Sequence, residues 1–214
     1  MPSKLSTQPR AAALPFQAQH RVLAAVQRRL ERCVFDFARK WYPDLCQLKD
    51  WDCVEKVELH TAFRALEQDD RGRLAGNTTT SPKEALGQLR AHVVGIRHAA
   101  VHREWQSHRQ LLKKLDTAHR FATVWLSDRQ CGTELQRCRL QVDALFNQWK
   151  KRSRCIAANL DARIGLLSES DRAPLSDRYR RLLLEAARRL AQRNLNDCVA
   201  QADRIVRITF SAIP

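Results

Sequence analysis

Helix breakers are scarce in this chain. Six glycines and seven prolines stand among 214 residues. That scarcity disfavours a β-rich fold, which needs many tight turns, and leaves long helices as the simplest reading. Acidic residues are also few. There are 23 of them against 38 lysines and arginines, a net charge of +15. Such an excess points to a polyanionic partner, whether RNA, DNA or an acidic membrane surface. No run approaches the ~20 apolar residues of a membrane-crossing helix. No CxxC occurs, so a zinc ribbon is not indicated, and no CxxCH, so neither is covalent haem. A glycine-rich phosphate loop and a GxSxG elbow are missing too. No metal and no cofactor is expected on these grounds.

The first 30 residues contain no Asp or Glu and carry Lys4, Arg10, Arg21, Arg28 and Arg29. That composition is compatible with a mitochondrial presequence. The amphipathic pattern nevertheless runs on past Glu31 without a break, as in an ordinary first core helix. The expected location is cytoplasmic or nuclear, with the mitochondrial matrix as the lesser alternative.

What the chain does have is apolar material at helical spacing. It is 44% hydrophobic, enough for a real core. Residues 1–15 read as a flexible tail. From Phe16 to Trp41, Val22, Leu23, Val26, Leu30, Val34 and Phe37 recur at three and four, which makes one buried helical stripe. Pro43 is expected to close that helix. A second helix is expected over about 50–68, with Trp51, Val54, Val57, Phe63 and Leu66 inward. Residues 69–82, DDRGRLAGNTTTSP, read as a loop. SPKE then gives a capping box, with Ser81 as cap, Pro82 first in the helix and Glu84 third after the cap.

From there Leu86, Leu89, Val93, Ile96 and Ala100 form the next stripe. A break near 103–107 carries no glycine or proline signal. The pattern resumes through Leu111, Leu112, Leu115, Ala118, Ala122 and Leu126. Further on, Leu135, Val142, Leu145, Phe146 and Trp149 predict a helix. Pro174 reads as a break before a last helix capped by Ser176 or Asp177, with Leu182, Leu183, Ala186, Leu190 and Leu195 inward. Its tail, IVRITFSAIP, reads as a frayed helix end or a short strand. The fold class is all-α: a four- or five-helix up-down bundle over 16–126 with a helical C-terminal extension, 127–214, packed on it. The seven cysteines, at 33, 46, 53, 131, 138, 155 and 198, mostly fall in these stripes and read as reduced, partly buried thiols.

The third helix of this series delivers its stripe into IRHAAVHREW, residues 96–105. Arg97 stands five before His102, and His98 follows the arginine. Spacing alone decides nothing, because 29 arginines and seven histidines give roughly one such pair by chance. Arg103 to His108 is indeed a second one. Placement separates them: the first pair ends a capped helix and encloses small apolar residues. On a straight helix Arg97 and His102 are about 140° apart at ~100° per residue. His98 and His102, at i and i+4, share a face. Three readings stand: a catalytic Arg/His pair, a His-x3-His metal site, or polar residues on a wet face.

The pattern Arg97-His98-x3-His102 resembles the motif of the HEPN superfamily, helical bundles whose ribonuclease members carry Arg, then Asn, Asp or His, then three residues and His. The stretch is also similar to a set of fungal HEPN-like helical proteins. The resemblance implies RNA as partner and metal-independent cleavage across a homodimer cleft, with the catalytic residues Arg97 and His102 at the centre and His98 orienting the pair or touching the phosphate. A histidine would take the 2′-OH proton or protonate the leaving 5′-oxygen, and an arginine would hold the phosphate.

Arg103, together with Lys150, Lys151, Arg152 and Arg154 of WKKRSR, offers phosphate contacts beside a tryptophan that can stack on a base. The alternative to an RNA-binding protein or ribonuclease is a non-catalytic helical module that binds a protein partner through a bundle face.

Overall fold

Five residues of the first stripe, Val22, Leu23, Val26, Leu30 and Val34, are all buried in one helix, α1, Phe16–Trp41. The computed structural model describes residues 13–69, 82–168 and 173–210. The expected tail is shorter than 1–15. Ala13 and Leu14 are buried, and Gln19 Nε2 donates to the Leu14 carbonyl at 2.7 Å. Their apolar side chains dock in the core and fix the entry into α1. Residues 1–12 lie outside the described residues.

Pro43 opens a helix as well as following one. After α1 stops at Trp41, α2 spans Pro43–Leu48 with the proline in its first turn, where its missing N–H costs nothing. The helix expected over 50–68 is shorter than that. Asp50 takes a left-handed conformation (φ 54°), Val54–Lys56 make a 3-10 turn, and α3 runs Leu59–Asp69. Lys56 Nζ holds the Asp50 and Asp52 carboxylates at 2.8 Å each. Trp51 and Val57 are buried as expected, but from irregular chain, because tertiary packing can bury them without a helix. Phe63 and Leu66 are buried from α3 itself.

Helix α4 spans Pro82–Val101. Val93, Ile96 and Ala100 of its stripe are buried. The loop 69–82 and the Ser81 cap lie almost wholly outside the described residues, as do the side chains of Leu86 and Leu89. Helix α5, His108–Arg120, starts from a complete capping box. Ser107 Oγ accepts from the Gln110 N–H at 3.3 Å, and Gln110 Oε1 accepts from the Ser107 N–H at 2.8 Å. A π-turn, Phe121–Trp125, then leads into α6, Arg129–Ser168. Helix α7 spans Ala173–Phe210. It begins before Ser176 and Asp177, so neither is its cap. Pro174 sits inside its first turn, and the last apolar run stays helical to Phe210.

The result is an all-α bundle with a helical C-terminal extension, and no strand occurs among the described residues. Side-chain pairs show antiparallel neighbours. Helix α5 meets α6 through His108–Asp143 and Asp116–Arg139. Helix α6 meets α7 through Thr209–Gln141 at 3.1 Å and Asn194–Ser153 at 3.2 Å. The extension is not a separate unit. Cys131, Leu135, Cys138 and Val142 of α6, with Cys198, Ala202 and Phe210 of α7, share one core with Leu30 and Ile96.

The outer halves of α6 and α7 leave that core behind. Of the expected stripe on α7 only Leu183 is buried. Leu195 is partly buried, while Leu182, Ala186 and Leu190 are exposed. In this stretch α7 is covered by α6, and a single neighbouring helix shields only a narrow strip.

Candidate nucleic-acid interface

Helix α4 ends inside the IRHAAVHREW stretch. The His102 N–H still bonds the His98 carbonyl at 2.9 Å, and the Glu104 N–H reaches back to the Ala99 carbonyl at 3.1 Å. Arg103 between them is left-handed, φ 53°. This is the closure in which a residue just past the helix turns left-handed to satisfy the last carbonyls. Glycine usually fills that place.

The closure sorts the motif onto two sides. Arg97 points toward α3, where its Nη2 meets Glu58 Oε1 at 3.1 Å. The other Glu58 oxygen lies 3.3 Å from His60 Nδ1. Glu31 of α1 is close by, accepting from Gln27 at 2.9 Å. Burial raises the Glu31 carboxyl above its usual range, against the opposing effects of Gln27, the Leu59 N–H and Arg97. Arg97 is thus built into an acidic cluster, with its side chain 24% exposed.

The histidines lie elsewhere. The His98 and His102 rings are 4.3 Å apart, and His98 Nε2 meets Glu104 Oε1 at 3.0 Å. His98, His102 and Arg103 are exposed, as is Trp105 two residues on. Arg97 and His102 do not converge within one chain. His98 and His102 do, as their spacing predicts, and with Glu104 they form an exposed polar cluster.

The connection ends on α6. His108 stacks on Phe146 with ring centroids 3.7 Å apart and meets Asp143 at 2.7 Å. Lys150 lies over the same Phe146 ring at 5.7 Å. His108 and Lys150 therefore meet at Phe146, which sets the connection after α4 against the start of the WKKRSR segment. Lys151, Arg152 and Arg154 are exposed there, and Arg152 pairs with Asp197 of α7 at 3.7 Å. Trp149 is partly buried against the core, and its indole N–H is buried without a partner. Packing occupies its ring, so it is not presented for base stacking as the sequence suggested.

Sequence reading did not anticipate how much charge the hairpin gathers. Over residues 150–168 and 177–193 there are eleven basic side chains and three acidic ones. Lys151, Arg154, Arg180, Arg188 and Arg193 have no acidic partner among the described residues. A groove of about 640 Å³ between the two helices is lined by Lys151, Arg152, Cys155, Ile156, Leu190 and Arg193 among others. The run DRYRR and the run ARRLAQR were the signals, but each alone resembles a solvated helix face.

One set of three ligating side chains converges among the described residues, and it is not the histidine pair. It is Cys33, Asp128 and Cys131, between α1 and the start of α6. No family model, curated protein or solved structure matches the chain.

Proposed function

We propose that the chain is an RNA-binding helical protein whose contact surface is the basic α6–α7 hairpin together with the exposed end of α4. The observation that carries this reading is the hairpin's concentration of positive charge, eleven basic against three acidic residues, with Lys151, Arg154, Arg180, Arg188 and Arg193 lacking an acidic partner among the described residues. Unpaired arginines and lysines in a row neutralise phosphates and release counterions, which supplies sequence-independent affinity. The groove between the helices adds apolar contact beside that charge. The preference for RNA over other polyanions rests on the resemblance of Arg97, His98 and His102 to the HEPN motif.

Cleavage is the stronger form of the same reading. One histidine of the His98–His102 pair would accept the 2′-OH proton as that oxygen attacks phosphorus. The other would protonate the departing 5′-oxygen, leaving a 2′,3′-cyclic phosphate and a 5′-OH. Arg97 would have to leave Glu58, or a second copy of the chain would have to supply an arginine across a homodimer cleft. A non-catalytic protein-interaction module is the second reading. It is favoured by the engagement of Arg97 with Glu58 and by exposed Leu182 and Leu190 on α7.

The test is purified protein with labelled single-stranded RNA in EDTA. Binding followed by anisotropy is expected, weakened by salt. If cleavage accompanies it, His102→Ala is expected to abolish cleavage and spare binding. Cleavage unchanged in that variant rules out the catalytic pair. No binding at low salt rules out the RNA reading and leaves the interaction module.

A further inference from the structure

The most unusual chemistry in the molecule is buried and lies apart from the basic hairpin. Arg29 of α1 is only 6% exposed. Its Nε donates to Glu134 at 2.6 Å and its Nη1 to Cys33 Sγ at 2.9 Å. Cys33 Sγ in turn lies 3.3 Å from Asp128 Oδ2. The other Asp128 oxygen is committed: it accepts the Cys131 N–H at 2.9 Å and so caps the start of α6. The Cys33, Asp128 and Cys131 ligand atoms all lie within 4.8 Å of one another. Around a tetrahedral zinc ion, with bonds of about 2.3 Å to sulfur and about 2.0 Å to oxygen, neighbouring ligand atoms fall inside that distance.

We propose that Cys33, Cys131 and Asp128 Oδ2 form a site for one zinc-class divalent ion, with water in the fourth position. Two thiolates and a carboxylate are the donors that select zinc or cadmium over magnesium and calcium. Charge balance favours the exchange. The buried group now holds one guanidinium and two carboxylates, a net single negative charge. Binding replaces the two thiol protons by one dication and leaves that net charge unchanged. The surrounding bonds already suit a bound ion. Arg29 donates to the Cys33 sulfur, Glu134 fixes Arg29, and the helix cap orients the Asp128 carboxylate, as partners behind metal ligands do. Water and ion enter along Asp128, whose side chain is 30% exposed. The ion would tie α1 to α6, elements far apart in sequence. This inference is independent of the RNA reading.

The experiment uses the full chain, reduced, with Cys53→Ser and Cys155→Ser introduced to remove the two thiols that are not buried. Cadmium is titrated in while the thiolate-to-cadmium charge-transfer absorption is followed. Zinc is then measured by competition with a chromophoric chelator. One equivalent is expected, with about two protons released per ion and a raised Tm. Cys131→Ser should abolish the absorption. Asp128→Asn keeps a capping oxygen and should weaken binding by at least the roughly ten- to hundredfold that losing a partner behind a ligand costs, because here a ligand itself is lost. Far-UV circular dichroism checks each variant. No absorption change in reduced protein, or absorption that survives Cys131→Ser, overturns the proposal. So does unchanged affinity in folded Asp128→Asn.

Discussion

Glu31 shows how a single side chain records its surroundings. It sits where α1 faces α3 and α4, with Glu58 and Arg97 nearby. Burial raises its folded pKa, and the hydrogen bond from Gln27 only partly offsets that. An acid whose pKa is higher folded than unfolded binds its proton more tightly in the folded state. At neutral pH its charge therefore subtracts from stability; that loss starts to shrink as pH falls through the raised folded value and is gone below the unfolded one. Glu31→Gln keeps the acceptor for Gln27 and removes the charge. The variant is expected to unfold at higher urea than the parent at pH 7, with the gap closing as the pH is lowered. A gap that widens with acid would mean that the attraction to Arg97 outweighs burial. Arg97 itself illustrates why function is hard to read from one residue: the sequence puts it in a motif, and the fold pairs it with Glu58.

At the scale of elements, the junction between the π-turn and α6 depends on one missing side chain. A Cβ at Gly132 would come 2.2 Å from Thr123 Cγ2. Thr123 cannot easily yield, because its hydroxyl is bonded to the His119 carbonyl at 2.9 Å. Gly132→Ala is expected to destabilise by about 1–3 kcal/mol through overpacking, although alanine is the better helix former. Thr123→Ser, which deletes the methyl group, should recover most of that loss in a double-mutant cycle followed by urea denaturation.

The helices themselves were largely legible. The bounds of α1, Phe16–Trp41, follow from its stripe and the proline beyond it. The break after α4 was harder, since an arginine takes the left-handed position where glycine would have marked it. The signal for resumption is Ser107-x-x-Gln110, a capping box with glutamine at its third position. The Cys33–Asp128–Cys131 group was illegible in principle. Cys33 and Asp128 lie 95 positions apart, and no local spacing joins them. The exposed leucines of α7 carry the same signal as core ones, because periodicity marks an apolar face and not what covers it.

For the molecule as a whole, the question is whether +15 acts as a diffuse charge or as a surface. Diffuse charge raises affinity for any polyanion, and its location would not matter. A built surface makes a defined number of phosphate contacts, each contributing about −0.7 to the slope of log affinity against log salt on single strands. Two variants separate these cases. One reverses Lys151, Arg154, Arg180 and Arg188 on the hairpin to glutamate. The other reverses Lys49, Lys113, Arg120 and Arg129, which are exposed on the bundle. Both lower the net charge by the same amount, and neither set of side chains is buried. If the hairpin is the surface, its variant loses most RNA affinity and its salt slope becomes shallower by about 3, four contacts at that single-strand value. The bundle variant should keep the parental slope and most of the affinity. Equal losses would show that the charge works only in bulk, and the α6–α7 hairpin would then be left with its apolar groove and its exposed leucines as a surface for a protein.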